Sequence, residues 1–349
     1  MFYFQNLNEA LIRLSKEILR NGDRREVRGF KCIELSEPVL ICISNPCDRY
    51  VTIPERKWNK ILPFAEFIWL MLGLNDLNSL PGKYVKNLYN FSDNGATWRA
   101  GYGPRLRAMT GYSGDYFVSE PNEKFVYSGS ASVVDQVNYV IKAFKRDINT
   151  RQAIIEIGDP VKDSFEYPGS NDELKKTKDY PCTRSLMFAV RKGALDLTVT
   201  IRSNDLIWGF SAVNVFNFTM IQEVVAGILG IPVGKYYHMA NNLHIYEDKF
   251  DLVKKISMLN AYEYINEDKF YYEFSLRSLE EFDDNLLSLF NYIKGIEGGQ
   301  KVRRSYSGNE FFEDMCRIFE NYHFKEDITF INPFLNRLYY GNTNLSRVP

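Results

Sequence analysis

Tyr180-Pro181-Cys182-Thr183, Ile201-Arg202-Ser203-Asn204-Asp205 and Asn242-Leu243-His244-Ile245-Tyr246 mark the stretch around which this chain is organised. Between them, Leu186 to Val190 and Leu195 to Ile201 read as antiparallel strands joined by the turn Arg191-Lys192-Gly193-Ala194. Cys182 precedes the first strand. Cysteine reacts as the thiolate, which a nearby cation favours, and Arg184 or Arg202 can supply that cation. A lone cysteine is more often an inert packed thiol, so Cys182 gains weight only from its company. His244 and Tyr246 are two apart on a strand expected over Tyr236 to Tyr246, so both face one side. There they can hold a hydroxyl or a sugar, or simply complete a core. Residues 212–229 form a long apolar helix ending at Gly230. Asn214 near its start is either a cap or an amide able to donate to and accept from a base edge. A Cys/His pair with His244 or His238 is conceivable, but no local signature marks one, and Arg-Ser near a cysteine suits an anion better than a peptide.

Upstream, residues 5–21 have Leu7, Leu11, Leu14, Ile18 and Leu19 at helical spacing, ended by Asn21-Gly22-Asp23. A basic loop, Arg24 to Gly29, follows, then a strand, turn and strand over Cys32 to Ile43. Residues 62–74 read as an almost wholly apolar helix interrupted by Glu66. A lone carboxylate there sits at an exposed edge, pairs with a lysine, or is held for chemistry. Residues 75–100 look like a polar surface excursion, followed by Gly101-Tyr102-Gly103-Pro104. A helix is expected over residues 132–147, a short buried strand over Ala153 to Ile157, and a charged loop over residues 158–180. Beyond about residue 250 the pattern turns helix-rich and charged, with no repeat and no clear linker. This predicts a catalytic domain over 1–250 with a C-terminal helical elaboration over 251–349 packed on it.

Composition narrows the function classes. The 349 residues, 45% hydrophobic and 25% charged, suit a globular protein with a substantial core. A net charge of -1 gives no footprint for nucleic acid and no polybasic face for a membrane. No apolar run appears long enough to span a bilayer. Five cysteines, an odd number, with no evident signal peptide, predict a reducing, cytoplasmic setting. Without a CxxC pair and with only three histidines, no metal site is expected.

Together these segments resemble the thymidylate synthase family, which includes the pyrimidine nucleotide hydroxymethylases. The resemblance covers roughly residues 20–250 and rests on Ala65-Glu66-Phe67-Ile68-Trp69 with Gly73, Tyr102-Gly103, Thr150-Arg151, Pro181-Cys182, Arg202-Ser203-Asn204-Asp205 with Gly209, Asn214, and His244-Ile245-Tyr246. It implies an α+β fold: a large mixed β-sheet covered by helices on one face, with the other face forming a homodimer interface. It implies that Cys182 adds to C6 of a pyrimidine nucleoside monophosphate, so that C5 attacks the methylene of 5,10-methylenetetrahydrofolate. Glu66 would organise proton transfers, and Tyr102 would help remove the C5 proton. Arg202 and Ser203 would hold the phosphate, with Arg151 reaching it across the dimer and Arg28 adding a contact. Asn214 would read the base once one extra residue is allowed after Gly209, and His244 and Tyr246 would meet the sugar. Asp205 would be a catalytic residue and contact the folate pterin, with Trp69 also on the folate side. Hydride then gives a methyl group, or water a hydroxymethyl group. The sequence ranks methylation of dUMP first, hydroxymethylation of dUMP, dCMP, CMP or UMP second, and a catalytically silent nucleotide-binding homologue third. Asn214 favours uracil over cytosine. The chain departs from the family at Gln152, Thr183, Ile201 and Asn241-Asn242, and Leu345 to Pro349 lacks the usual apolar tail.

Overall fold

In β8 (Thr183–Arg191), β9 (Ala194–Ile201) and β11 (Val233–Ala240), buried residues largely alternate with half-exposed ones. Such alternation suits a sheet covered on one face. The computed structural model describes residues 1–27, 29–111, 114–121, 133–167, 173–265, 269–273, 276–300 and 309–341. The remaining described strands are β1 (Phe2–Phe4), β2 (Gly22–Val27), β3 (Phe30–Leu35), β4 (Val39–Ile43), β5 (Met109–Thr110), β6 (Val133–Val134), β7 (Ile154–Glu156), β10 (Asn204–Asp205) and β12 (Leu243–Tyr246). With β8, β9 and β11, three of these make a six-stranded mixed sheet in the order β1-β4-β11-β9-β8-β7. Four more make a second sheet, β10-β12-β3-β2, and β5 pairs with β6.

The expected strand over Tyr236 to Tyr246 is two strands in different sheets. It breaks at Asn241-Asn242, where the Asn241 and Asn204 amides donate to Ile201 and Asn242 carbonyls and hand the chain from one sheet to the other. The basic stretch expected as a loop is largely strand: β2 pairs with β3 from Gly22↔Leu35 to Val27↔Phe30. Residues 75–100 are a surface excursion only in part: residues 89–95 are mostly exposed, but the ends of the stretch are buried. Their polar side chains serve buried backbone: Asn75 donates to the Trp98 and Tyr116 carbonyls and accepts from Val118 N–H, and Asp76 accepts from Ser79. Buried polar groups of this kind need partners, and here the polarity of the sequence measures internal bonding rather than exposure.

The Leu62–Met71 helix and the Val215–Leu229 helix are buried along nearly their whole lengths. Phe64 meets Phe216 edge-on at 4.7 Å between them. The second helix is entered through a π-helical segment, Leu206–Asn214. The continuous run Leu206–Leu229 is long and apolar enough to cross a bilayer by composition, contrary to the sequence reading, and it is buried here as a core helix. One hydrophobic cluster runs from Phe4 to Leu338, so the helices Leu279–Glu297, Glu310–Phe324 and Pro333–Tyr340 share the core of the preceding residues. Arg107, fully buried, ties the two regions through Asp135 at 2.9 Å and Asp283 at 2.6 Å.

Candidate active site

Cys182 sits where two strand ends are stitched together. The Arg202 amide donates to the Cys182 carbonyl at 2.9 Å. The Arg202 side chain turns back over the same run: Nε donates to Pro181 O at 3.0 Å, and Nη2 to Tyr180 O at 2.9 Å and to Cys182 Sγ at 3.5 Å. The guanidinium also lies 4.8 Å from the Tyr180 ring centroid. A fixed cation beside a half-buried thiol stabilises the thiolate, the reactive form. Among the described residues Arg202 Nη1 has no protein partner, which leaves a donor for an anion. His238, by contrast, is held between the Tyr236 hydroxyl at 2.8 Å and Asn204 Oδ1 at 2.9 Å. Its hydrogen bonds, like the 2.8 Å bond of His244 to Asn242, run away from a Cys/His pair with Cys182.

Glu66 is buried in mid-helix, and its described partner is Asn217, whose Nδ2 donates to Oε1 at 3.0 Å. Burial pushes this carboxyl up to about 8, with the Asn217 bond pulling the other way. It is therefore largely protonated at neutral pH and able to give a proton. The next residue on the same helix, Phe218, stacks on Tyr102 at 6.4 Å. The Tyr102 hydroxyl accepts the Thr183 N–H at 3.1 Å. Burial raises the phenol well above its usual range, and the nearby Cys182 adds to this. Tyr102 is positioned because Gly103 packs on the end of the Leu62–Met71 segment, where a Cβ would stand 2.2 Å from Leu74 O. Glu66, Tyr102 and Cys182 are thus joined through one helix and one strand end.

Asp205 is the register partner of His244 across β10 and β12. Its Oδ1 caps the following segment through Trp208 N–H, while Oδ2 is buried without a hydrogen bond. Burial raises the carboxyl to about 6, opposed by the Trp208 and Ile207 amides and Arg56. His244 bonds Asn242, which donates to Glu34 at 2.8 Å, and stacks edge-on with Tyr246 at 4.9 Å. Burial lowers His244 to about 4 and His238 to about 3. An unfolded chain protonates both near their ordinary value. Their depressed folded values mean that stability is lost as pH falls below about 6.5. Denaturant midpoints should drop between pH 7 and 5, and His238→Gln should weaken that dependence; an unchanged slope would refute the assignment.

A family model described as thymidylate synthase matches residues 9–293, most of the chain. The chain belongs to the thymidylate synthase family. It is similar to a deoxyuridylate hydroxymethyltransferase of Bacillus phage SP01, 36% identical over 67% of this chain and 55% of that protein. It is similar to another so named in Pseudomonas phage M6, 30% identical over 74% of this chain and 63% of that one. Thymidylate synthase 1 of Bacillus spizizenii is 30% identical over 46% of this chain and 53% of its own length. The chain thus spans little more than half the length of these relatives.

The remaining expected residues fall less closely together. Ser203 is half-buried between Arg202 and β10. Asn214 is helical in backbone and makes no side-chain cap, so the N-cap alternative fails. It lies by Gly209, where a Cβ would stand 2.4 Å from Asn204 Nδ2 and 3.4 Å from Asn214 Nδ2. The segment Leu206–Asn214 that carries both residues is π-helical. Trp69 is 1% exposed and spends its indole N–H on Asp76 O at 2.9 Å. It is placed in the core rather than on a ligand surface. Its neighbour Trp98, 5.8 Å away, is half-exposed. Arg151 is exposed, three residues before β7. Arg28 lies outside the described residues, and Arg25 pairs with Glu34 at 3.0 Å. Asn217 was missed by the sequence reading, although an amide inside an apolar helix signals an obligatory partner.

Proposed function

We propose that this thymidylate synthase-family chain transfers a one-carbon unit to C5 of a uracil nucleoside monophosphate, and that water completes the reaction to give a hydroxymethyl group. The observation that carries the reading is Cys182 Sγ, 3.5 Å from a guanidinium that is anchored by its own strand end. Methylation ranked first on sequence alone. Hydroxymethylation takes its place because the two deoxyuridylate hydroxymethyltransferases match more of this chain than the thymidylate synthase does.

In this reading the Cys182 thiolate adds to C6, and the ring's negative charge settles toward C5 and O4. Glu66, protonated near neutrality, gives a proton toward O4, held in place by Asn217. Tyr102, its hydroxyl fixed by Thr183 N–H, stays a neutral phenol and relays the C5 proton rather than ionising. Arg202 with Ser203 takes the phosphate, and Arg202 couples phosphate binding to the nucleophile. Asn214 reads uracil, and His244 with Tyr246 meets the sugar. The orphaned, buried Asp205 Oδ2 suits a pterin, whose amide and amino groups are donors. Bound 5,10-methylenetetrahydrofolate would supply the one-carbon unit. Arg151 reaches a partner subunit's phosphate if the open face of the larger sheet, where Tyr3 and Met239 are exposed, carries a second copy. Residues 251–349 serve as a helical elaboration on the catalytic core.

Incubation with dUMP and 5,10-methylenetetrahydrofolate should yield the hydroxymethyl nucleotide by mass spectrometry, without dihydrofolate. Dihydrofolate and a methyl product would restore the methylating alternative. No release of tritium from 5-tritiated dUMP or dCMP would end both and leave the silent nucleotide binder. Arg202→Lys keeps the charge but loses the fork to Tyr180 and Pro181. It should lower kcat/KM roughly 10- to 100-fold, the scale of one or two charge-assisted hydrogen bonds. An Arg202→Lys variant as active as the wild type would argue against the anchoring role.

A further inference from the structure

The run leading into Cys182 carries a carboxylate that the mechanism above does not use. Asp179 Oδ2 accepts the Ala100 N–H at 2.8 Å, two residues before Tyr102. Tyr102 in turn takes the Thr183 N–H at 3.1 Å, on the far side of Cys182. The two bonds lace the 100–102 turn to the 179–183 run and bracket the nucleophile. Arg202 fixes the same run through Tyr180 O and Pro181 O. The approach to Asp179 is also braced: its amide donates to Thr177 Oγ1 at 2.9 Å, and Thr177 Oγ1 and the Lys178 amide bond Asp93 at 2.6 and 2.8 Å. Asp179 is half-buried, and among the described residues Oδ1 accepts no hydrogen bond. The bond to Ala100, two residues before Tyr102, puts the Asp179 carboxylate on the tyrosine's side of the site.

We propose that Asp179 is the general base for the water that completes the reaction, an inference that rests on the hydroxymethyl reading above. Once the one-carbon unit stands on C5 as an exocyclic methylene, with C6 still bonded to Cys182 Sγ, Asp179 Oδ1 takes a proton from water as its oxygen bonds the methylene carbon. The C5=CH2 electron pair moves toward C4–O4, giving an enolate. The enolate collapses to C5=C6, the C6–S bond breaks, and Cys182 leaves as thiolate. Asp179 ends with the proton and passes it to solvent, so atoms and charge balance. Burial raises the Asp179 carboxyl to about 6, with Asp93 adding to the rise and the Ala100 N–H, Arg99 and Arg105 opposing it. An acid of that strength is mostly ionised at pH 7 yet basic enough to accept a proton.

Asp179→Asn tests this, because an asparagine oxygen can still take the Ala100 N–H. With dUMP and 5,10-methylenetetrahydrofolate, single-turnover tritium release from C5 should persist within a few-fold, since it precedes water addition. Hydroxymethyl product should fall on the order of 100-fold. Added 2-mercaptoethanol, a nucleophile that needs no base as its thiolate, should capture the stalled methylene as a thioether. The acid limb of the wild-type profile near pH 6 should vanish from what activity remains. Unchanged product formation would overturn the proposal. So would loss of tritium release together with product, which would place Asp179 earlier or make it structural. Wild-type protein that releases no tritium, or makes only methyl product, would instead defeat the underlying reading, and the proposal with it.

Discussion

Cys182→Ser is expected to bind nucleotide nearly as the wild type does and to lose turnover by roughly 10,000-fold or more, the order seen when a covalent nucleophile is removed. The two outcomes separate because the site divides its tasks. Arg202 is held by Pro181 O and Tyr180 O, both backbone groups, so its place for a phosphate survives the loss of sulfur. The reaction does not. A serine hydroxyl beside the same guanidinium remains neutral, whereas the thiol can be held as thiolate. Calorimetry with dUMP and tritium release from C5 read the two properties independently. A serine variant that keeps tritium release within tenfold of wild type would show that no sulfur adduct forms. A wild type that binds but never turns over would make the protein a nucleotide-binding homologue, which the serine variant would then match.

Residue order made Glu66 and Arg202 stand out because each violates a local expectation, and Cys182 gained weight only from their company. Glu66 interrupts an apolar helix, and Arg202-Ser203 ends an apolar strand. The strands β8 and β9 were readable from their turn, since a hairpin is a local structure. What stayed hidden depended on contacts far apart in sequence. Glu66 and Asn217 meet 151 residues apart, and neither shows the other from its own neighbourhood. The break at Asn241-Asn242 was invisible because the local run Tyr236 to Tyr246 does not show that its two halves join different sheets. Residues 75–100 misled because composition counts polar atoms and cannot say whether water or backbone satisfies them. Trp69 matched the family's pattern as a residue type, but only packing reveals that its ring faces the core.

Glu66→Gln should act in opposite directions on activity and stability. Activity should fall by roughly 100- to 10,000-fold, the range for a proton-transfer group, since glutamine can still accept from Asn217 but has no proton to give. Stability should move the other way as pH rises. The folded carboxyl titrates near about 8, and the unfolded one in the ordinary carboxylate range. The folded state therefore keeps a proton that the unfolded chain releases, and this favours folding fully only below the unfolded value. The benefit drains away as pH climbs through the folded value of about 8. Glutamine does not titrate, so the variant should gain on the wild type between pH 5 and 8, by a few kcal/mol at most. Urea midpoints at those two pH values measure the gain. An equal difference at both would mean that Glu66 is already ionised in the folded protein, and its role as a proton donor to the ring would fail. A growing difference, with an alkaline limb of kcat that the glutamine variant lacks, would tie the cost of burying this carboxyl to the work it does on the nucleotide.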